Sequence, residues 1–396
     1  MFIFSFSIIL ISSISIVFPA LLIRLTSGFP FSKIDPLEPG LYAVPLLAIN
    51  SIFLVLYFMY YKKRLPSIFY RITNYMLDFD VSPRKGIFIL FVIVAVYVGF
   101  SVHEIFKVED LADIPTVLDQ LSSWSFKDDL KTTIPQLHTK MFFLKSSEVL
   151  FQNLRVLPFF ASISLLVLTY FFSIQITSKR LCGLIAVATI LQSHIFLRYD
   201  TIITYANFWV LFYLFSLYLV KKSWPFSVLS YITSFFAKPL TLAFFPQSIF
   251  YIVRSPQSTK KRIPILISYL GIFSVIVILF FVLLPESYLN PSKFIMHQPR
   301  FFTGFTILPY QLRYDYFVML FLIPLYILLF KKSLSGQKYA QSLQILISGI
   351  ILAGPLLTGL FNYQLNPYRL VPLIVFFAIG FGLLFSRKLS WNEKLP

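Results

Sequence analysis

The stretch that decides the fold is GIFILFVIVAVYVGFSVH, residues 86–103, which contains no Asp, Glu, Lys or Arg. A helix of this length is about 27 Å long, close to the thickness of a bilayer's hydrocarbon core, about 30 Å. Because lipid offers the backbone no hydrogen-bond partners, a continuous apolar run of this length predicts a transmembrane helix. Arg84 and Lys85 precede the run and Glu104 follows it, so charged residues mark both of its ends.

Similar runs recur along the whole chain. Hydrophobic residues make up 58% of the 396 residues and charged residues only 13%, against about 25% charged residues in soluble domains. We therefore predict an all-α, polytopic integral membrane protein with about twelve transmembrane helices. The predicted spans are 2–24, 40–61, 86–103, 157–177, 181–197, 203–220, 225–237, 239–253, 263–284, 316–330, 341–360 and 369–386.

The basic residues predict the orientation of these spans. Lys and Arg outnumber Asp and Glu by 34 to 16, and they form clusters at the ends of alternate spans, which is typical of cytoplasmic loops. A nucleic-acid partner would require a basic face on a soluble module, so none is expected. If all twelve spans cross, every cluster lies on one side, which predicts a multi-pass protein of the cell membrane with both termini cytoplasmic. The clusters are Lys62, Lys63, Arg64, Arg71, Arg84 and Lys85; Lys179 and Arg180; Lys221 and Lys222; Arg254, Lys260, Lys261 and Arg262; Lys331, Lys332 and Lys338; and Arg387 and Lys388.

The longest loop on the opposite, outer side runs from Glu104 to Arg155 and holds eight of the sixteen acids. Two of its segments, 114–121 and 141–150, alternate apolar and polar residues at helical spacing. This pattern predicts short helices that lie in the membrane interface.

Several ionisable residues stand at the predicted outer ends of spans, where such groups are often functional. Arg155, Arg198, Lys238 and Arg369 are cations that could hold the phosphate of a membrane lipid. Asp200, two residues after Arg198, is a carboxylate that could take a proton from a reacting hydroxyl. The alternative for Arg155, Lys238 and Arg369 is that these side chains extend to lipid headgroups without a chemical role.

Metal and thiol chemistry have little basis in the sequence. His103 and His194, at outer span ends near acids, are the candidate ligands of a divalent metal ion. The sequence has no HxxxH pair, which favours an interfacial position for these histidines. Cys182 is the single cysteine, so no disulfide framework is expected.

Six features in a fixed order carry a resemblance to a known superfamily. They are the acidic pair Glu109-Asp110, the segment Leu154–Pro158, the basic turn Ser178–Leu184, the motif Arg198-Tyr199-Asp200, the segment Lys238–Leu242 and the segment Asn366–Pro372. Together, over residues 86–386, they resemble the GT-C superfamily of polytopic glycosyltransferases, which includes protein O-mannosyltransferases and lipid-A aminoarabinose transferases. The resemblance divides the chain into two N-terminal spans with a basic loop (1–85), a GT-C-like domain (86–386) and a short cytoplasmic tail (387–396).

The resemblance implies that a sugar is transferred from a polyprenyl-phosphate-linked donor to an acceptor on the outer face of the membrane. It assigns the role of catalytic base to Asp110, with Glu109 and Glu104 as alternates, and the second acidic position to Asp200. Arg198, Lys238 and Arg369, together with Arg155, are then expected to bind the lipid phosphate. Membrane lipids and the lipid-linked donor are the expected partners, while the sugar and the acceptor stay open.

Two other functions remain open. A secondary transporter or lipid flippase would place ionisable residues near the midplane of the bilayer, often in inverted repeats; no matching halves occur in this chain. A non-catalytic membrane scaffold of GT-C-like fold would need no carboxylate near a cation. Substitution of Asp110 and Asp200 separates these functions, because only the enzyme would lose transfer while it keeps its fold.

Overall fold

The computed structural model of the protein describes residues 2–22, 35–109, 111, 113–124, 138–283, 296–361 and 366–387. Over these residues the fold is all-helical. The helices are α1 (Phe2–Val17), α2 (Ala43–Tyr61), α3 (Ser67–Asp78), α4 (Pro83–Ser101), α5 (Ile114–Ser123), α6 (His138–Phe151), α7 (Val156–Thr177), α8 (Arg180–Leu191), α9 (His194–Arg198), α10 (Phe208–Lys222), α11 (Trp224–Ala237), α12 (Phe245–Arg254), α13 (Thr259–Leu283), α14 (Gln298–Leu312), α15 (Tyr316–Leu334), α16 (Lys338–Phe361) and α17 (Val371–Leu384). Short 3-10 turns occupy Val102–Phe106, Pro239–Phe244 and Pro367–Leu370.

Helix α17 is the centre of the bundle. It packs against α7 and α8 on one side and against α15 and α16 on the other. Of the segment Pro367–Leu384, 83% is buried inside the protein, against 17% of α2 and 22% of Pro83–Phe106. The apolar residues of α2 and α4 therefore face outward, as expected of helices that contact lipid.

Two glycines allow α7, α8 and α17 to approach each other closely. A Cβ atom on Gly382 would lie 2.4 Å from the carbonyl oxygen of Cys182, and one on Gly183 would lie 2.7 Å from the ring of Tyr170. Small residues at helix crossings bring backbones together in membrane proteins. The thiol of Cys182 is buried at the first of these crossings.

Among the described residues, seven helices are long and apolar enough to cross a membrane. They are Ala43–Tyr61, Pro83–Phe106, Val156–Thr177, Thr259–Ile278, Tyr316–Leu334, Tyr339–Leu360 and Pro367–Leu384. The expected all-helical, membrane-embedded class is confirmed by these helices, while the number of twelve crossings stays a prediction. Several of the predicted bounds were wrong. The helix predicted at 2–24 is interrupted after Val17, and the first six residues of the one predicted at 239–253 form a 3-10 turn. The helix predicted at 181–197 breaks after Leu191, where Ser193 caps a separate helix, α9, by accepting a hydrogen bond from Phe196 N–H. The one predicted at 203–220 begins only at Phe208, because the residues before it form a loop held by side chains from elsewhere.

The segments 114–121 and 141–150, predicted as short helices, lie within α5 and α6. Helix α3 was not predicted, although its apolar residues recur at helical spacing. It joins the ends of α2 and α4, two helices long enough to span a membrane.

Candidate functional site

A cavity of about 900 Å³ opens between α4 and the segment formed by α8, α9 and the start of the following loop. Its lining residues come from three parts of the chain. They are Val92, Ile93, Val96, Tyr97, Phe100, Ser101, Glu104, Val108, Glu109 and Leu111; Arg155; and Leu191, His194, Leu197, Arg198, Thr201 and Ile202. A cavity of this volume is large enough for a small ligand or for part of a long one.

The cavity wall changes from apolar to polar along α4. Val92, Val96 and Phe100 line it in succession, and their exposed fractions are 41%, 53% and 74%. Glu104 follows in the 3-10 turn, about 20 Å beyond Val92 by helical rise. The cavity therefore offers a hydrocarbon-like wall at one end and ionisable groups at the other.

Arg198 is the cation at the polar end with the most capacity to bind a ligand. It ends α9, lines the cavity and is exposed. Among the described residues its guanidinium has no ion-pair partner. Glu104 also lines the cavity, but its Oε1 already contacts His103 Nε2 at 2.9 Å and Lys107 Nζ at 2.6 Å.

Behind the polar end runs the loop 199–207, whose buried backbone is paired with side chains from distant parts of the chain. Ile203 N–H donates to Glu109 Oε2 at 2.9 Å, and Thr204 N–H donates to Oε1 at 3.3 Å. The ammonium of Lys140 donates to Thr204 O at 2.7 Å. Buried peptide groups need such partners, so Glu109 and Lys140 hold the loop in place.

Arg155 is another support of this loop. Its Nε donates to Thr201 O at 3.1 Å, and its Nη2 donates to Thr201 Oγ1 at 2.9 Å. Its Nη1 donates to Lys107 O at 2.5 Å. Burial lowers the pKa of Arg155, while nearby Glu109 and Glu104 act in the opposite direction. Arg155 lines the cavity, as a phosphate ligand would, but two of its five N–H groups donate to the loop and a third donates to Lys107 O.

Asp200 lies behind the cavity wall. Its side chain is buried, and Oδ2 accepts a hydrogen bond of 2.8 Å from the hydroxyl of Tyr97, which does line the cavity. Burial raises the pKa of Asp200 to about 6, and the hydrogen bonds of Tyr97 and Ser101 limit the rise. The Asp200 carboxylate is thus one side chain removed from the cavity, a position suited to orienting Tyr97.

Lys238 and Arg369 are brought together in a second place, which we call the aromatic cluster: Lys238, Arg369, Tyr205, Trp209 and Tyr368. Lys238 Nζ lies 3.9 Å from the ring centroid of Tyr368 and 5.5 Å from that of Trp209. Tyr205 stacks on Tyr368 with centroids 3.7 Å apart. Arg369 is buried, and its Nε donates to the Tyr368 hydroxyl at 3.0 Å. Neither cation lines the cavity.

The aromatic cluster brings two cations, Lys238 and Arg369, to the ring of one tyrosine, Tyr368. Among the described residues no carboxylate pairs with Lys238. Burial lowers the pKa of Lys238 well below its ordinary value, and the charges of Arg369 and Lys140 lower it further. Aromatic faces stabilise an ammonium and are the only compensation this geometry offers among the described residues.

The remaining candidates divide as follows. Asp110, the expected base, lies outside the described residues. His194 lines the cavity, whereas His103 is bound to Glu104. No three His, Cys, Asp or Glu side chains converge within the described parts of the chain, and a metal-binding role of His103 and His194 stays a prediction.

Sequence reasoning missed Tyr97, Lys140, Tyr205 and Tyr368. Tyr97 lies inside an apolar run that gives no sign of a polar role. Lys140 did carry a signal, because helical spacing places it on the same face as Leu144 and Ser147, both of which are buried. The two tyrosines of the stack are far apart in sequence, so only the fold shows that they meet.

The comparisons with known proteins give no assignment. No protein-family model, no curated protein and no solved structure matches this chain.

Proposed function

We propose that this protein is a membrane glycosyltransferase that takes a sugar from a polyprenyl-phosphate-linked donor. The observation that carries the proposal is the graded cavity between α4 and α9, with apolar residues along α4 and Arg198 at the polar end. A lipid-linked phosphate has the same division into a long apolar part and a charged head. The resemblance of residues 86–386 to GT-C enzymes supports this function independently.

In this proposal Arg198 binds the donor phosphate, with help from the remaining N–H groups of Arg155. An arginine forms two parallel hydrogen bonds to phosphate oxygens, which fixes the orientation of the group. Lys238 and Arg369, on a different set of elements, are secondary candidates for the same role.

The proposed reaction is a single displacement. A carboxylate, Asp110 by resemblance with Glu109 and Glu104 as alternates, accepts the proton of the acceptor hydroxyl. The acceptor oxygen forms a bond to the anomeric carbon while the bond from that carbon to the phosphate oxygen breaks. The configuration inverts, and the lipid phosphate leaves with its negative charge stabilised by Arg198.

The proposal includes a topology. Twelve crossings place all the Lys and Arg clusters on the cytoplasmic side and both termini with them. The cavity's polar end then faces the outer compartment, where a lipid-linked donor needs no soluble nucleotide sugar.

Native mass spectrometry of the purified protein with added polyprenyl phosphate tests the donor site. Removal of one charged hydrogen-bonding group costs about 1.5–3 kcal/mol, so we expect Arg198→Ala to weaken binding by roughly 10- to 100-fold. Arg300→Ala is the matched control, because Arg300 is exposed and lies outside the cavity lining. Equal affinity of both variants would remove the basis of the proposal.

A transfer assay with a lipid-linked sugar then separates the enzyme from its rivals. We expect Asp110→Asn to bind polyprenyl phosphate normally and to lose transfer, with Glu109→Gln and Glu104→Gln tested beside it. Normal transfer by all three variants would reject a carboxylate base. If the lipid moves between leaflets without any transfer, the protein is a flippase instead.

A further inference from the structure

Helix α3 (Ser67–Asp78) connects the end of α2 to the start of α4. Both neighbours are long and apolar enough to span a membrane, so α3 lies at the surface where these two spans end. With 12 residues it is about 18 Å long, too short to cross a hydrocarbon core of about 30 Å. It is therefore placed at a membrane surface without crossing it.

One face of α3 is apolar and exposed. Ile68, Ile72 and Tyr75 are separated by four and three residues, which brings them to one side of a helix, and Phe79 at the C-cap continues the row. Their exposed fractions lie between 41% and 63%. No residue of α3 is fully buried, so within the described protein nothing covers this face.

A second face is polar and also exposed. Ser67, Arg71, Asn74 and Asp78 follow each other at helical spacing about a third of a turn away from the apolar row. A short helix with separate apolar and basic or polar faces is typical of segments that lie in the plane of the interface.

The remaining side of α3 is fixed to the protein. Tyr70 stacks on Tyr60 of α2 with ring centroids 5.1 Å apart, and its hydroxyl donates to Tyr60 O at 2.9 Å. At the other end Lys179 Nζ donates to Met76 O at 3.2 Å and to Leu77 O at 3.0 Å. These contacts hold the apolar face of α3 in a set direction.

The charges around α3 are strongly positive once ion pairs are considered. The two acids of this region are already engaged: Asp78 pairs with Arg387 at 2.5 Å, and Asp80 pairs with Arg180 at 3.5 Å. Six cations in and beside α3 have no carboxylate partner among the described residues. They are Lys62, Lys63, Arg64, Arg71, Arg84 and Lys85.

We propose that α3 is an interfacial helix that binds anionic lipid headgroups. Its apolar row enters the acyl boundary, and the six unpaired cations contact the negative headgroups of the leaflet at which α2 and α4 end. Basic clusters next to membrane spans are attracted to anionic lipids in this way. The proposal does not depend on the glycosyltransferase function.

Spin labels in nanodiscs test this binding. In a Cys182→Ala background, a label is attached at Ile72→Cys on the apolar row or at Asn74→Cys on the polar face. Power-saturation EPR then compares the accessibility of each label to oxygen and to a water-soluble nickel complex. Discs of phosphatidylcholine alone are compared with discs of equal parts phosphatidylcholine and phosphatidylglycerol.

We expect the oxygen-to-nickel accessibility ratio to be several-fold higher at Ile72 than at Asn74, and to rise further at Ile72 with phosphatidylglycerol. Lys63→Gln with Arg64→Gln should abolish that rise. Lys260→Gln with Lys261→Gln, an equal charge change at the exposed start of α13, should preserve it. Equal ratios at the two labels would overturn the membrane contact, and a ratio at Ile72 that does not respond to lipid charge would overturn the binding of anionic headgroups.

Discussion

The loop 199–207 borders the cavity and contributes Tyr205 to the aromatic cluster, two regions in which the cations have different surroundings. The cavity holds Arg198, which is exposed and has no ion-pair partner among the described residues. The aromatic cluster surrounds Lys238 with rings, at 3.9 Å from the centroid of Tyr368. The first arrangement leaves hydrogen-bonding capacity for a ligand, whereas the second satisfies its cation with aromatic faces.

The same comparison applies within the cavity. Arg155 and Arg198 both line it, but Arg155 donates three hydrogen bonds to Thr201 and Lys107. A cation at a ligand-binding surface can therefore be a support of the fold, a ligand contact, or both, and the hydrogen-bond partners distinguish these roles.

The largest expected effect tests that distinction. Arg155→Ala should lower the free energy of unfolding by about 4 kcal/mol, because hydrogen bonds to charged groups contribute roughly 1.5–3 kcal/mol each and Thr201 O loses its partner. Arg198→Ala, which removes an exposed group, should change it by less than about 0.5 kcal/mol. Denaturant unfolding in detergent measures both, and similar losses in the two variants would contradict the comparison.

The buried carboxylate of the loop 199–207 predicts a pH dependence. Burial raises the pKa of Asp200 to about 6 in the folded protein, above its ordinary value of about 3.9. The folded state therefore binds the proton more tightly than the unfolded state. Stability from this group is fully present below about pH 4 and is lost as the pH rises through about 6.

The free energy of unfolding should fall by about 3 kcal/mol over this pH range, since each unit of difference in pKa between the folded and unfolded states corresponds to about 1.4 kcal/mol. Asp200→Asn should remove this part of the pH dependence. Burial also raises the pKa of Asp315 to about 6. Asp315 should therefore cause a similar decrease of the unfolding free energy with pH, and this decrease should remain in the Asp200→Asn variant. If the unfolding free energy of Asp200→Asn follows pH as steeply as that of the wild type, Asp200 is not the titrating group.

The amino-acid sequence predicted the helical class and many helix positions, because apolar runs of about 20 residues and helical spacing are local signals. It failed at residues 203–207, which were predicted as the start of a helix because Ile202, Ile203 and the residues after them continue an apolar pattern. The loop 199–207 is stable only because Glu109, Lys140 and Arg155 reach it from positions about 50 to 100 residues away. No local pattern contains such partners.

The structure brings several of the candidate residues together, while their roles stay predictions. Six of those named from the sequence, namely Glu104, Glu109, Arg155, His194, Arg198 and, behind the wall, Asp200, gather at or beside one cavity. Lys238 and Arg369 meet elsewhere. Residue type and span position indicate which side chains reach the same end of the bundle, but the division between two regions depends on how the helices pack.

The smallest expected effect is a change in the free energy of unfolding caused by a substitution in the aromatic cluster, and its direction is what matters. The lowered pKa of Lys238 means that its folded environment disfavours the charged form. Methionine has a similar length and no charge, so Lys238→Met removes this penalty, although it also removes cation–π contacts that contribute about 0.5–2 kcal/mol. Replacement of buried ion pairs by apolar residues is often neutral or stabilising by about 1–4 kcal/mol. Because no described carboxylate loses its partner when Lys238 is replaced, we expect a net gain of about 1 kcal/mol.

Lys140→Met is the matched variant. Lys140 is also buried, but it donates to Thr204 O at 2.7 Å, and loss of that donor leaves a buried carbonyl without its partner, which costs about 1–3 kcal/mol. The same substitution should therefore stabilise the protein at 238 and destabilise it at 140, as read from denaturant unfolding. A loss of stability at both positions would mean that Lys238, like Arg155, supports the fold, and the contrast between the two regions would then fail.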